Sequence, residues 1–144
     1  MYEHILLPID GSEGTDRAVE HAVGHAVEYG ADLYVLHVVD VNVAAVEGAA
    51  DVLERLEDAG ERLVSDAMGL ADDAGVPAVE GTVTRGTPHR HILDYVDQYD
   101  IDLVVMGTHG RSGVERYLLG SVTEKVVRLS DVPVLTVPMT GESE

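Results

Sequence analysis

The chain has 144 residues, of which 45% are hydrophobic and 25% charged, values typical of one folded domain rather than a disordered chain. It contains no cysteine, which excludes disulfides, cysteine-ligated zinc and thiol catalysis. Its formal charge of −18 makes nucleic acids and anionic membranes unfavourable partners.

The first half of the chain alternates between strand-like and helix-like patterns. Residues 4–9 are an apolar run that predicts a buried strand. Alanine and valine then recur at helical spacing over 18–27, and Gly30 marks the predicted end of that helix. A second apolar strand is predicted at 33–39, followed by a long helix over 46–73 whose apolar face includes Val64, Ala67 and Leu70.

The second half repeats this alternation. A third strand is predicted at 78–84, and the pair Thr87-Pro88 predicts a helix start because threonine caps helices and proline suits their first position. The fourth and fifth strands are predicted at 101–106 and 132–137. Between them lie a glycine-rich loop and a helix with apolar residues at Val122, Val126 and Leu129.

Strands that alternate with helices and are continuously apolar predict an α/β fold. We expect a single-domain, open, parallel five-stranded sheet with helices on both faces, spanning residues 1–140, with a polar tail at 141–144. Ligands of such sheets bind at the carboxyl ends of the strands, where the strand order reverses. No apolar run has the length of a membrane helix and no secretory signal is visible, so the sequence favours a cytoplasmic protein.

The loop after the fourth strand has features of a phosphate-binding turn. Gly107, Gly110 and Gly113 allow the backbone to approach a ligand closely. Gly120 and Ser121 then open a helix, whose free N–H groups and positive dipole end attract phosphate. Ser121 and Thr123 are expected to add hydroxyl donors. Without the spacing, a simple strand-to-helix turn explains the glycines equally well.

The spacing of these glycines is more specific. Two residues separate Gly107 from Gly110 and nine separate Gly110 from Gly120-Ser121, which resembles the nucleotide-binding signature of the universal stress protein family, in its ATP-binding branch. Three other segments agree with the resemblance, which covers nearly the whole chain: Pro8 to Ser12, Leu36 to Val38 and Val132 to Leu135.

The resemblance implies a Rossmann-like, adenine nucleotide alpha hydrolase-like fold that binds ATP, with Mg²⁺ as the expected companion of the phosphates. It places the adenine near the ends of the first two strands, at Pro8, Ile9, Asp10 and Val38. It places the ribose and phosphates along the glycine loop and the following helix start, at Met106, Gly107, His109, Gly110, Gly120, Ser121, Val122 and Thr123.

Asp10 has two explanations. A carboxylate beside a triphosphate is repulsive unless it binds the sugar or base, or helps to hold a cation. With the resemblance, a nucleotide contact is favoured and assistance to a metal comes second. An Asp-Gly turn at a strand end explains the same residue without any ligand.

Members of the family typically dimerise through the last strand, here Val132–Val137. Pro133 and Pro138 near its ends suit an edge strand. An unpaired edge invites pairing with a second copy, although proline also blunts edges. The resemblance therefore implies an ATP-binding universal stress protein, a homodimer that acts as a nucleotide-responsive stress or regulatory module.

Two alternatives remain open. A weak Mg²⁺-dependent ATPase would use Arg111 and Arg116 for charge stabilisation and Asp10 or His109 to orient water, but no dedicated catalytic group is evident. An interaction protein of the same fold would bind no nucleotide. A P-loop and a dinucleotide-binding fingerprint are absent, and the strand ends do not match those of a receiver domain.

The histidines are assigned by their positions. His37 lies inside an apolar strand and is expected to be packed and hydrogen-bonded, whereas His109 in the glycine loop is the best candidate for a ligand contact. The others considered are expected on exposed helix surfaces rather than at a metal or phosphate: His21, His25, His89 and His91.

Basic residues are concentrated in one segment. Residues 84–128 contain six basic and six acidic residues, so this segment is neutral and the rest of the chain carries the whole net charge. An anionic ligand is therefore expected to bind there.

The excess of carboxylates over a single lysine predicts a halophilic protein, because concentrated salt screens the self-repulsion. We expect the far-ultraviolet circular dichroism signal to weaken as salt is withdrawn. A signal that does not change from about 0.1 M salt upward would contradict this expectation.

Overall fold

The computed structural model describes residues 1–12, 14–42, 50–108 and 120–138. In chain order its strands and helices are β1 (His4–Pro8), α1 (Thr15–Tyr29), β2 (Asp32–Asp40), α2 (Ala50–Ala74), β3 (Val79–Gly86), α3 (Pro88–Gln98), β4 (Leu103–Gly107), α4 (Ser121–Leu129) and β5 (Val134–Val137). The predicted order of elements is confirmed, and the strand ends shift by at most two residues. Residues 46–49 of the predicted long helix and the 141–144 tail lie outside the described residues.

The five strands form one parallel sheet in the order β3-β2-β1-β4-β5, which confirms the predicted fold class. The chain moves outward from β1 to β3 on one side, and then crosses to β4 and β5 on the other. The strand order therefore reverses between β1 and β4. Connections that leave these two strands diverge, and the divergence opens a crevice at their carboxyl ends.

Two apolar clusters hold the sheet between its helices. Leu33 and Val35 pack toward α1 and α2, whereas Tyr34 and Leu36 pack toward α3 and α4. Successive residues of a strand point to opposite faces, so a strand covered on both faces must be apolar throughout. This explains the uninterrupted apolar runs in the sequence.

Three apolar helix residues that the pattern assigned to the core are exposed, so the prediction is wrong at these positions. Val27 is 46%, Leu70 57% and Leu129 49% exposed. In α2 the buried row runs through Ala67 and Ala71. Leu70 precedes Ala71 by one residue, which turns it about 100° away from that row.

The helices within the described ranges include none that is long and apolar enough to cross a membrane.

The carboxylate of Asp102 holds the amino end of β1. Its oxygens accept the backbone N–H groups of Glu3 at 2.9 Å and His4 at 3.1 Å. The backbone N–H of Asp102 donates in turn to the carbonyl of His4 at 2.9 Å. One side chain thus joins the segment before β4 to the first strand of the chain, beside the point where strand order reverses.

We expect Asp102→Ala to lower the free energy of unfolding by about 1–3 kcal/mol, because two backbone N–H groups lose a charged acceptor. Urea denaturation measures this change. Asp97→Ala, on the exposed side of α3, removes the same charge and is the matched control. Equal losses in the two variants would contradict the role given to Asp102.

Candidate functional site

A cavity of about 300 Å³ opens at the carboxyl ends of β1, β2 and β4. The strand ends form its floor, and the starts of α1, α3 and α4 contribute to its walls. It lies where the strand order reverses, the position at which ligands bind to open parallel sheets.

Ten of the twelve residues that the sequence singled out line this cavity. They come from four separate stretches of the chain: Pro8, Ile9, Asp10, Val38, Met106, Gly107, Gly120, Ser121, Val122 and Thr123. His109 and Gly110 lie outside the described residues, as do Arg111 and Arg116. That these residues contact a nucleotide stays a prediction.

The cavity also includes residues that the sequence did not single out for a ligand contact: Ser12, Thr15, Ala18, Leu36, His37, Val39, Asp40, Leu56, Pro88 and Ile92. The sequence does contain an indication for Asp40, because this residue follows an apolar strand in the same way as Asp10. Leu56 and Ile92 carry no local signal, because their helices reach the cavity only through packing on the sheet.

The two carboxylates at the strand ends make the same local contact. One oxygen of Asp10 accepts the N–H of Ser12, and one oxygen of Asp40 accepts the N–H of Asn42, both at 2.9 Å. Gly11 has a φ of +78°, a left-handed conformation that suits glycine in a tight turn. Asp10 therefore does form the turn, and its exposed carboxylate also borders the cavity.

The start of α4 is fixed to the end of β4. The N–H of Gly120 donates to the carbonyl of Thr108 at 2.6 Å, and the Thr123 hydroxyl donates to the carbonyl of Gly107 at 2.8 Å. The expectation that Thr123 offers a hydroxyl donor to a ligand is therefore wrong, because its proton is already engaged and the residue is buried. Among the described residues, no side chain caps the start of α4, and the exposed Ser121 makes no such bond.

His37 confirms the expectation of a packed, hydrogen-bonded side chain, and it also lines the cavity. Its Nδ1 lies 2.8 Å from the carbonyl of Ile9, which only accepts, so Nδ1 carries the proton. The other edge of the ring lies against Gly60 of α2. A Cβ at that glycine would come within 2.4 Å of the His37 Cδ2 atom, so the contact requires glycine.

The start of α3 follows the sequence expectation only in part. The helix begins at Pro88 with Thr87 as its cap residue, but the Thr87 side chain makes no capping hydrogen bond. The Thr87 carbonyl accepts the N–H groups of Arg90 and His91 instead, both at 3.1 Å. His91 packs beside Gly86, where a Cβ would lie 2.1 Å from its Nε2 atom.

The pKa values of His89 and Glu57 differ from their ordinary values. Burial lowers the pKa of His89, and the neighbouring charges of Lys125, Arg90 and Arg128 lower it further. A hydrogen bond from Arg85 lowers the pKa of the Glu57 carboxyl, and this pair joins the end of β3 to α2.

A metal site made by the protein alone is not found in the described ranges, which contain no group of three or more potential metal-ligating His, Asp or Glu residues. Asp10 and Asp40 are the carboxylates among the described lining residues. A magnesium ion held there would take its remaining ligands from phosphate and water, as Mg²⁺ commonly does in nucleotide sites.

The sequence model of the universal stress protein family matches residues 1–138. The chain belongs to this family. Universal stress protein MJ0531 of Methanocaldococcus jannaschii is 35% identical over 141 residues, an alignment that covers 95% of this chain and 82% of the relative. Universal stress protein YxiE of Bacillus subtilis is 34% identical over 148 residues, covering 95% and 99%.

Solved structures of universal stress proteins share the fold. The structure of protein MJ0577 of Methanocaldococcus jannaschii superposes with a TM-score of 0.88 at 30% identity, and covers 99% of both chains. A universal stress protein in complex with cAMP superposes with a TM-score of 0.73 at 27% identity, covering 96% of this chain and 98% of the other.

The contact between Gly60 and His37 predicts opposite effects for two glycines of α2. Gly60→Ala should lower the free energy of unfolding by about 1–3 kcal/mol, because the new methyl group displaces the imidazole. Gly69→Ala meets no atom within 4 Å and should raise it by about 0.5–1 kcal/mol. Thermal and urea unfolding measure both changes, and a Gly60→Ala variant as stable as Gly69→Ala would refute the contact.

Proposed function

We propose that this universal stress protein binds an adenine nucleotide, ATP with Mg²⁺, in the cavity at the strand ends. In this proposal the bound nucleotide regulates a cytoplasmic homodimer that acts as a stress or regulatory module. One observation carries the proposal: a single cavity joins apolar strand ends to a helix start whose N–H groups no described side chain caps. A nucleotide requires both surfaces, one for its base and the other for its phosphates.

Apolar groups suited to a base line the strand ends. Ile9 and Met106 are buried, and Pro8 and Val38 are partly exposed toward the cavity. A planar base that covers these groups removes apolar surface from water, which is the main source of affinity in small-molecule sites. The free oxygen of Asp10 can accept a hydrogen bond from a sugar hydroxyl or an amino group of the base.

The start of α4 supplies the phosphate side. Gly120 has an extended backbone, with φ −64° and ψ 161°, and exposes the N–H groups of the helix that follows. These groups and the positive end of the helix dipole attract phosphate. Glycine at this position leaves room for the ligand to approach the backbone.

Dimerisation through β5 is supported by the sheet order. β5 lies at one end of the sheet, and among the described strands it pairs only with β4. Its outer edge therefore presents backbone N–H and C=O groups to a second copy.

The related structure in complex with cAMP supports the choice of an adenine nucleotide as the regulating ligand.

Two measurements test nucleotide binding. Denaturing the purified protein should release an adenine nucleotide, or calorimetry should show ATP binding to the nucleotide-free protein. Gly120→Val should lower ATP affinity at least about tenfold, because a branched side chain replaces phosphate contacts of more than about 1.4 kcal/mol. Labelled ATP that stays intact on the protein distinguishes binding from the alternative of slow hydrolysis.

Gly69→Val is the matched control for Gly120→Val, because Gly69 lies on α2 with open space around it. Both variants should fold, since Gly120 already has backbone angles that any residue adopts. ATP affinity that is unchanged in Gly120→Val would refute the assignment of the phosphate side.

A further inference from the structure

A second cavity, of about 280 Å³, lies between α2 and β3. Four of its lining residues come from α2 and two from β3: Glu61, Val64, Ser65, Met68, Gly81 and Val83. None of them lines the cavity at the strand ends. Glu61, Ser65 and Gly81 are exposed, so this cavity is open to solvent. We call it the α2–β3 groove.

The groove runs beside an unpaired edge of the sheet. β3 has eight residues and, among the described strands, pairs only with β2. Proteins commonly protect such edges with proline or lysine, and β3 contains neither. By contrast, β5 at the opposite edge has four residues, preceded by Pro133 and followed by Pro138. β3 is therefore the longer and less protected of the two edges.

The main-chain groups that face this edge belong to the strand residues of the groove. The carbonyl of Ala78 accepts the N–H of Leu33 at 2.9 Å, so it points toward β2. The direction of these groups alternates along a strand, so the N–H and C=O groups of Gly81 and Val83 point away from β2. In an added strand, a residue opposite Gly81 or Val83 would place its side chain on the same face of the sheet, which α2 covers.

The inner part of the groove is apolar. Val64 is buried, and Met68 and Val83 are half-buried. α2 packs closely on β3 here, because a Cβ at Gly81 would lie within 2.5 Å of atoms of both Val64 and Met68. An apolar side chain that enters from the edge would therefore meet only apolar side chains at this depth, and its burial would favour binding.

The rim of the groove is acidic. Glu61 is exposed at the groove, and the exposed Glu54 and Asp72 lie about two and three turns from it on the same side of α2. Arg55 and Arg62 each follow one of these acids by one residue, so they are turned about 100° away from the row. The row of Glu54, Glu61 and Asp72 therefore favours a partner with basic side chains.

We propose that the edge of β3 and the α2–β3 groove bind an extended peptide segment of a partner protein, which adds a strand to the sheet. An apolar side chain of the peptide enters the groove, and basic side chains two residues before and after it face the acidic row. Main-chain bonds to Gly81 and Val83 provide affinity, and the alternate side chains provide specificity. The proposal does not depend on nucleotide binding, because the two cavities share no lining residue.

Fluorescence anisotropy with the labelled peptide Thr-Arg-Thr-Leu-Thr-Arg-Thr tests the proposal. Its leucine and both arginines lie on one face of an extended chain. We expect saturable binding, and we expect the affinity to fall at least about tenfold when both arginines are replaced by glutamate. The measurement is made at the lowest salt concentration that maintains the fold, because salt screens the charges at the rim.

Three variants locate the binding surface. Val83→Pro removes an N–H that faces the edge and leaves the bonds to β2 in place, so it should lower the affinity at least about tenfold. Glu61→Arg reverses a charge at the rim and should lower the affinity at least about fivefold. Asp66→Arg makes the same change at an exposed position of α2, about 140° around the helix from Glu61, and should leave the affinity unchanged.

The proposal is overturned if the wild-type protein shows no saturable binding, or if neither Val83→Pro nor Glu61→Arg weakens it. Sedimentation velocity tests the other occupant of the edge. A wild-type oligomer that dissociates in Val83→Pro would show that a second copy pairs with β3, which also overturns the proposal. Circular dichroism confirms that each variant is folded, and Glu61→Arg provides the test if Val83→Pro does not fold.

Discussion

The position of β1 between β2 and β4 is the constraint on which the rest of the structure depends. Burial on both faces requires the central residues of these strands to be mostly apolar. The chain leaves their carboxyl ends in opposite directions, and the gap between the connections becomes the cavity. Asp102 holds β1 at the opposite end, through two backbone N–H groups.

The cavity combines two kinds of surface that a single loop does not supply. Its strand ends are apolar and are bordered by carboxylates, whereas its helix starts provide backbone N–H groups. In the proposed complex this division favours one orientation of the nucleotide, because reversal would bring its phosphates against Asp10 and Asp40.

Periodicity was sufficient to predict the element order and the parallel sheet, because strand and helix differ in how often an apolar residue recurs. The resemblance to the universal stress protein family, which the glycine spacing and the strand ends carry, led to ten of the cavity residues. The contributions of Leu56 and Ile92 could not be predicted, since they depend on how helices pack across the sheet. Leu70 shows the same limit, because the sequence does not reveal whether an apolar residue next to the buried row of a helix faces the sheet or the solvent. The sequence also could not predict that the Thr123 hydroxyl donates to the carbonyl of Gly107, which lies sixteen residues earlier in the chain.

Thr108 has a consequence for communication across the molecule. Its carbonyl accepts the N–H of Gly120, and its own N–H donates to the carbonyl of Val137 at the end of β5. One residue after β4 is thus hydrogen-bonded both to the residue before α4 and to the end of β5. Thr108 therefore links the start of α4, which borders the cavity, to the end of β5, the strand at one edge of the sheet.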